Sequence, residues 1–282
     1  MWLFYALLCA VSSGSLAIFH RFVMRESDFI SYGFLQQGIS TIIYFLIMVS
    51  SFQFSFSTSA LEFLVLGMIF WSIATVVNFK GYKHTDASVR TPVYTIRLIF
   101  VAVLSFIVLS EPFPVTKIVG TGLILFGIMF LNFRKKIFSL KDIGIKFVLL
   151  AALLTSIALT VDKIALNFFS PMVYGFFIYF ADTTAFGMLS FKRMHHLKSI
   201  VRSKMKIVVA AAVLDVLSYF GLLWALKLQQ ASVVFPIAQM GGLIAVIGGI
   251  IILKERQNIS QKIFGVSVAI LGAAMVAGYL AI

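Results

Sequence analysis

The chain is 282 residues long, 61% of them hydrophobic and only 12% charged, with a formal net charge of +13 and a mean hydropathy of +1.05. A water-soluble domain carries about 25% charged residues to clothe its surface, so this composition excludes one and points to lipid as the solvent. The positive charge does not indicate nucleic acid, because nearly all basic residues lie in short gaps between apolar runs, where the topology signals of membrane proteins belong.

A helix needs about 20 apolar residues to cross the hydrocarbon core, and ten runs qualify. The first, 2–20, has no basic region before it and no small-residue cleavage site, so it is predicted to be a retained helix. It contains the single cysteine, Cys9, which leaves no disulfide framework and no cysteine metal site. The second, 29–50, carries a stripe of Gln37, Ser40, Thr41 and Tyr44. The third, 60–79, places Trp71, Thr75 and Asn78 on one face. The fourth, 87–109, holds Pro92, then Tyr94 and Arg97 at helical spacing, and is followed by Glu111. The fifth, 114–133, contains Gly120 and Gly127. The sixth, 145–167, aligns Ser156, Thr160 and Lys163, with Asp162 beside the last.

The seventh run, 171–191, has Asp182 near its centre. The longest connection, 192–206, is basic and includes His195 and His196, read as solvated residues rather than metal ligands. The eighth, 206–227, carries Asp215, Ser218 and Tyr219 at i, i+3 and i+4. The ninth, 231–253, holds Pro236 and Gln239 and is followed by Glu255. The tenth, 259–281, contains Gly265 and Gly272. Barrel strands would alternate polar and apolar residues, and these runs do not.

The two halves resemble each other. Tyr32-Gly33-Phe34 recurs as Tyr174-Gly175-Phe176. Ala87-Ser88-Val89 with Pro92 and Glu111 recurs as Ala231-Ser232-Val233 with Pro236 and Glu255 at the same spacing, and Gly120 and Gly127 answer Gly265 and Gly272. The predicted fold is therefore an all-α membrane protein of ten transmembrane helices in two copies, 1–137 and 138–282. Five spans per copy is an odd number, so the second copy inserts upside down, and inverted repeats with a site near the midplane are a transporter signature.

Two five-helix copies, each with Ala-Ser, a proline in the fourth helix and a glutamate at its far end, resemble the EamA-type branch of the drug/metabolite transporter superfamily over nearly the whole chain. The resemblance implies alternating access around a central cavity lined mainly by the first, third, fourth, sixth, eighth and ninth helices. Export of amino acids or other metabolites is common among such proteins. It also implies cytoplasmic termini. The charge count argues otherwise: nineteen of the 23 Lys and Arg residues lie in or beside gaps after odd-numbered helices and two after even-numbered ones. That bias makes the odd gaps cytoplasmic and puts both termini outside.

An ionisable side chain at membrane depth costs several kcal/mol unless paired or wetted, so it marks function or a paired structure. Arg97 is the strongest pointer, because a guanidinium stays charged and presents a planar fork of donors to a carboxylate or phosphate. The substrate-binding candidates are Arg97, Tyr94, Asp215, Tyr219, Trp71, Asn78 and Gln239. Asp215, Asp182 and Asp162 are candidates for proton coupling, Glu111 and Glu255 for gating or helix capping, and Pro92 and Pro236 for hinges. An Arg97–Asp215 or Arg97–Asp182 ion pair is the structural alternative. Arg97 corresponds to Gly241 and Asp215 to Trp71 in the other copy, so a symmetric frame carries an asymmetric polar site.

The function expected is that of a secondary transporter in the plasma (inner) membrane, moving a small polar or amphiphilic metabolite with protons as a coupling ion, as a monomer or homodimer in contact with membrane lipid. No metal, cofactor or nucleic acid is expected. No nucleotide-binding motif is present to supply ATP drive. Asp162 with Lys163 is the one pair available to a lipid-modifying enzyme, the second reading, and a structural membrane subunit is the third.

Overall fold

The computed structural model describes residues 1–24, 27–49, 52, 57–85, 90, 93–131, 142–191, 193–243 and 259–280. Among these, all regular structure is helical, in ten segments: α1 (Trp2–Met24), α2 (Phe29–Val49), α3 (Thr58–His84), α4 (Arg97–Ile107), α5 (Val115–Leu131), α6 (Ile143–Ala165), α7 (Pro171–Ser190), α8 (Met194–Leu228), α9 (Ala231–Ala238) and α10 (Ile259–Val276). Starts are set by short polar caps. Ser57 accepts from the Ala60 N–H, Asp142 from Gly144, and Ser170 from Val173 with Pro171 as the first helical residue. In each case a side-chain oxygen satisfies an amide that has no partner within the helix.

Six of the described helices are long and apolar enough to cross a membrane, in α1, α2, α3, α6, α7 and α8; the apolar stretches Val93–Ile107, Val115–Phe130, Ala231–Leu243 and Phe264–Val276 are shorter. Among the described residues, six of the ten expected spans reach full length, and the four shorter stretches border residues outside that set. Pro236 has no N–H to give the Ser232 carbonyl, and α9 stops at Ala238 before a turn at Gln239 and Met240. Pro92 and Glu255 lie outside the described residues.

The predicted loop 192–206 is mostly helix. Leu197 and Ile200 are buried one turn apart, and Ile200 joins Leu16, Val23 and Val208 in an apolar cluster. That packing extends α8 to 35 residues, about 52 Å at 1.5 Å per residue, well beyond a hydrocarbon core of about 30 Å. His195 and His196 lie exposed on this extension.

Equivalent helices of the two copies meet antiparallel. A Cβ on Gly120 would sit 2.7 Å from the Gly272 carbonyl oxygen, and one on Gly127 would sit 2.5 Å from that of Gly265. Residue 120 thus faces 272 while 127 faces 265. On α2 and α7, Gly33 packs against the Phe186 ring and Gly175 against the Tyr44 ring. Phe186 follows Gly175 by the same eleven positions by which Tyr44 follows Gly33. The largest of the other contacts come in exchanged pairs: α1 on α8 and α6 on α3, α2 on α8 and α7 on α3, α4 on α6 and α9 on α1. A two-fold axis perpendicular to the helices generates this pattern, as inverted copies require. Phe106, Ile107, Leu46 and Val65 are among the large apolar side chains left exposed on the outside of the bundle, which suits lipid.

Outside the spans, Asp28 accepts hydrogen bonds from the Ser31 N–H at 3.0 Å and hydroxyl at 2.9 Å and pairs with Arg193 at 2.5 Å. Burial pushes its carboxyl up, but the Ser31 bonds together with the Arg193 and His196 charges outweigh that and hold it below its ordinary value of 3.8. A depressed folded value stabilises the protein above the unfolded pKa and the gain is lost as pH falls through the folded one. Arg193 is 40% exposed, so screening limits the effect to below about 1 kcal/mol. Melting curves taken from about pH 6 down to about pH 3 should show a small acid-side loss that Arg193→Gln reduces; identical curves for both proteins would refute this assignment.

Candidate functional site

Arg97 opens α4, and its half-buried side chain turns toward α9. Nε donates to the Gln239 side-chain oxygen at 2.9 Å, and Nη2 donates to the same oxygen. Nη1 donates to the Tyr94 hydroxyl at 3.2 Å, and that hydroxyl also meets Thr155 of α6 at 3.0 Å. The alternative, an ion pair with Asp215 or Asp182, is not formed; Arg97 is held by the neutral groups of Gln239 and Tyr94. Gln239 is free to serve because it sits at the turn beyond Pro236, where the helix has ended. Ser156 of α6 donates to the Arg97 carbonyl at 3.2 Å, and Gly241 lets the chain after α9 rest on the Ala10 carbonyl and Gly14 amide of α1. Helices α1, α4, α6 and α9 thus converge around this guanidinium.

A second guanidinium lies beside the first. Arg90, counted from sequence as a topology charge, is only 6% exposed. Its carbon Cζ stands 3.4 Å from the Tyr82 ring centroid and 4.9 Å from that of Tyr94, and Arg97 is 4.7 Å from the same Tyr94 centroid. Nη2 donates to Asn78, while Nε has no partner. Standing 4.9 and 4.7 Å from one ring centroid, the two like charges are at most about 10 Å apart, and at an effective dielectric of about 20 they repel by roughly 2 kcal/mol or more. The tyrosine faces and amide oxygens offset part of that.

The three carboxylates form a separate cluster among α2, α3, α6, α7 and α8. Asp162 accepts from Trp71 Nε1 at 2.9 and 3.1 Å, Tyr174 at 2.8 Å and Tyr219 at 3.1 Å. Tyr174 reaches it by lying directly over Gly67, where a Cβ would collide with the hydroxyl. Asp182 accepts from Thr75 at 2.9 Å and leaves Oδ1 without a partner. Asp215 accepts from Gln36 at 3.2 Å and Gln37 at 3.5 Å and from Tyr179. Every donor here is neutral. The Tyr179 and Tyr219 rings, 5.6 Å apart edge to face, join the Asp215 and Asp162 halves of the cluster.

One chain of contacts connects the two clusters. Gln36 donates to Asp215 and its oxygen meets His20 Nε2 at 3.1 Å. His20 contacts Tyr82 edge-on at 5.5 Å, and Tyr82 carries Arg90. His20 is itself 7% exposed with Nδ1 unpartnered.

At one end of the bundle the loop after α4 clasps the start of α9. Glu111 accepts from the Ala231 and Ser232 amides at 2.7 and 2.8 Å, the capping role. Lys117 donates to the Pro112 carbonyl, Gln230 and Ser232. Lys163 and Lys227 cap the carbonyl ends of each other's helices, Lys163 on Leu226 and Gln229 and Lys227 on Leu166. The adjacent Asp162 and Lys163 therefore point to different partners. Removing the Glu111 charge should cost about 1–3 kcal/mol, as for a lost cap with charged hydrogen bonds. Thermal unfolding of Glu111→Gln in detergent reads this, and an unchanged midpoint would show the cap to be dispensable.

The structure thus brings Arg97, Tyr94 and Gln239 into direct contact and adds Asn78 through Arg90. It places Trp71, Tyr219, Asp162, Asp182 and Asp215 in the carboxylate cluster instead. The polar face predicted for α8 divides: Asp215 turns to α2, Tyr219 to α6, and Ser218 to Cys9 of α1 at 3.5 Å. Ser156 and Thr160 bond back to carbonyls of their own helix. Arg90, His20, Gln36, Tyr174 and Tyr179 were not singled out from sequence. The histidine at the end of an apolar run, 2–20, was the available signal for one of them.

The sequence model described as the EamA-like transporter family matches residues 1–133 and again 142–278. A crystal structure of another protein superposes on 99% of this chain and 98% of that one with a TM-score of 0.82 at 12% identity, which shows a shared fold. No curated protein matches the sequence.

Proposed function

Because the chain belongs to the EamA-like transporter family, we propose that it is a secondary transporter that exports a small polar or amphiphilic metabolite, an amino acid in the first instance, by alternating access. The observation that carries this reading is Arg97. Its guanidinium is held by Gln239 and Tyr94, where helices of both copies converge, and no carboxylate among the described residues pairs with it. A neutral cradle keeps the charge available for a carboxylate or phosphate on the cargo. Asp215, Asp182 and Asp162 take up and release the coupling proton. The His20–Gln36 contact lets the protonation of Asp215 influence the arginine side. Glu111 closes one mouth over α9.

In this reading all ten helical segments cross the inner membrane as copies 1–137 and 138–282, the odd-numbered gaps face the cytoplasm, and both termini lie outside. Proteoliposomes loaded with labelled amino acids and organic anions, with and without an imposed proton gradient, test the proposal. Counterflow of at least one compound, altered by the gradient, is expected; no flux from a broad metabolite pool would refute transport. The enzyme alternative loses its candidate pair, since Lys163 is engaged with helix-end carbonyls and Asp162 with three neutral donors.

A further inference from the structure

Arg90 is the buried group that this mechanism leaves without a role. It lies one ring away from Arg97, since both guanidinium groups stand over Tyr94 at 4.9 and 4.7 Å. Its Nε–H is buried and unpaired, which is costly for a donor of this strength unless something accepts from it. Among the described residues, the hydrogen-bond acceptors supplied to the two arginines are amide and phenol oxygens, from Asn78, Gln239 and Tyr94. Among the described residues, two guanidinium groups on neutral supports, one of them with an unpaired donor, form a receptor for negative charge.

From this we infer that Arg90 and Arg97 form a two-point clamp around Tyr94 for a cargo bearing two negative charges, either a dicarboxylate, acidic amino acids included, or a phosphate monoester. The inference rests on the transport reading and narrows its cargo. Arg97 alone suffices for one carboxylate. Arg90 is needed only for the second charge, and the spread of the two guanidinium groups about a single ring suits a small molecule rather than a polymer. A bidentate guanidinium recognises either carboxylate or phosphate oxygens, so the two sources must be separated by experiment.

The test is ligand-induced thermal stabilisation of the purified protein, at fixed ionic strength, with acetate, succinate and glycerol phosphate as probes. Wild-type protein is expected to bind at least one dianion about tenfold or more tightly than acetate. Succinate alone would identify carboxylate pairs as the cargo group, glycerol phosphate alone the phosphate ester, and both the shared double charge. Arg90→Gln should collapse the ratio of dianion to acetate affinity toward one. Arg90→Lys, which keeps the charge at a buried position, should retain a ratio of only severalfold, because a point charge cannot reproduce the planar fork. A wild-type ratio near one overturns the clamp, as does a wild-type ratio preserved in both Arg90 variants. Failure of the transport reading looks different: Arg97→Gln would then bind acetate as well as wild type does.

Discussion

Replacing Arg97 by alanine is expected to cut the flux of anionic cargo by at least about 100-fold while leaving a folded protein. Removing one partner of a buried, hydrogen-bonded charge pair costs about 2–5 kcal/mol in binding, and each 1.4 kcal/mol is a factor of ten. The fold should survive because Arg97 holds no carboxylate in place. Its loss leaves the Tyr94 hydroxyl bonded to Thr155 and removes a charge from a costly position. Arg97→Lys should recover only part of the activity, since an ammonium cannot span Gln239 with two nitrogens and still offer a fork to the cargo. Flux measured in proteoliposomes, with monodispersity and melting as controls for folding, decides the point. Wild-type flux in Arg97→Ala would reduce the residue to a packing role.

The second large effect is expected at the contact between α5 and α10. Gly272→Ala sets a methyl group against the Gly120 carbonyl oxygen and the Leu123 and Ile124 positions. The nearest of these is backbone, which no rotamer change can move aside. Helix association in lipid depends on close van der Waals approach at small residues, so the two helices must separate along their length. Overpacking of this kind costs about 1–3 kcal/mol, occasionally more, and larger residues such as valine should abolish recovery of folded protein. Gly122 is the internal control, two residues from Gly120 and so on the opposite side of the same helix, with open space around its absent side chain. Gly122→Ala should be neutral or slightly stabilising. A melting point unchanged in Gly272→Ala would contradict the glycine-to-glycine packing.

Much of the framework could be read from the chain because it depends on repetition and hydropathy, which are local. The Gly120/Gly127 and Gly265/Gly272 correspondence marked the repeat without saying that these glycines would touch one another. Pairing of side chains was less legible, because it depends on rotation of each helix about its axis. Asp215, Ser218 and Tyr219 share spacing on α8, yet each meets a different helix. Arg90 looked like a topology charge, since its burial arises only when Tyr82 and Tyr94 close around it. The extension of α8 through 194–205 was hidden by its lysines and arginines, although Leu197 and Ile200 already carried the helical period. Gln239 was legible for a physical reason: a proline one turn earlier ends the helix and leaves the amide side chain free.

Alternating access requires water to reach Arg97 through the bundle from one side of the membrane at a time. It is tested most directly by Gln239→Cys in a Cys9→Ser background, labelled with a membrane-impermeant thiol reagent in vesicles of each orientation. Access confined to one face, shifting to the other or blocked when a transported compound is added, is the predicted result. A thiol at 239 that stays unreactive from both faces under every condition would contradict it.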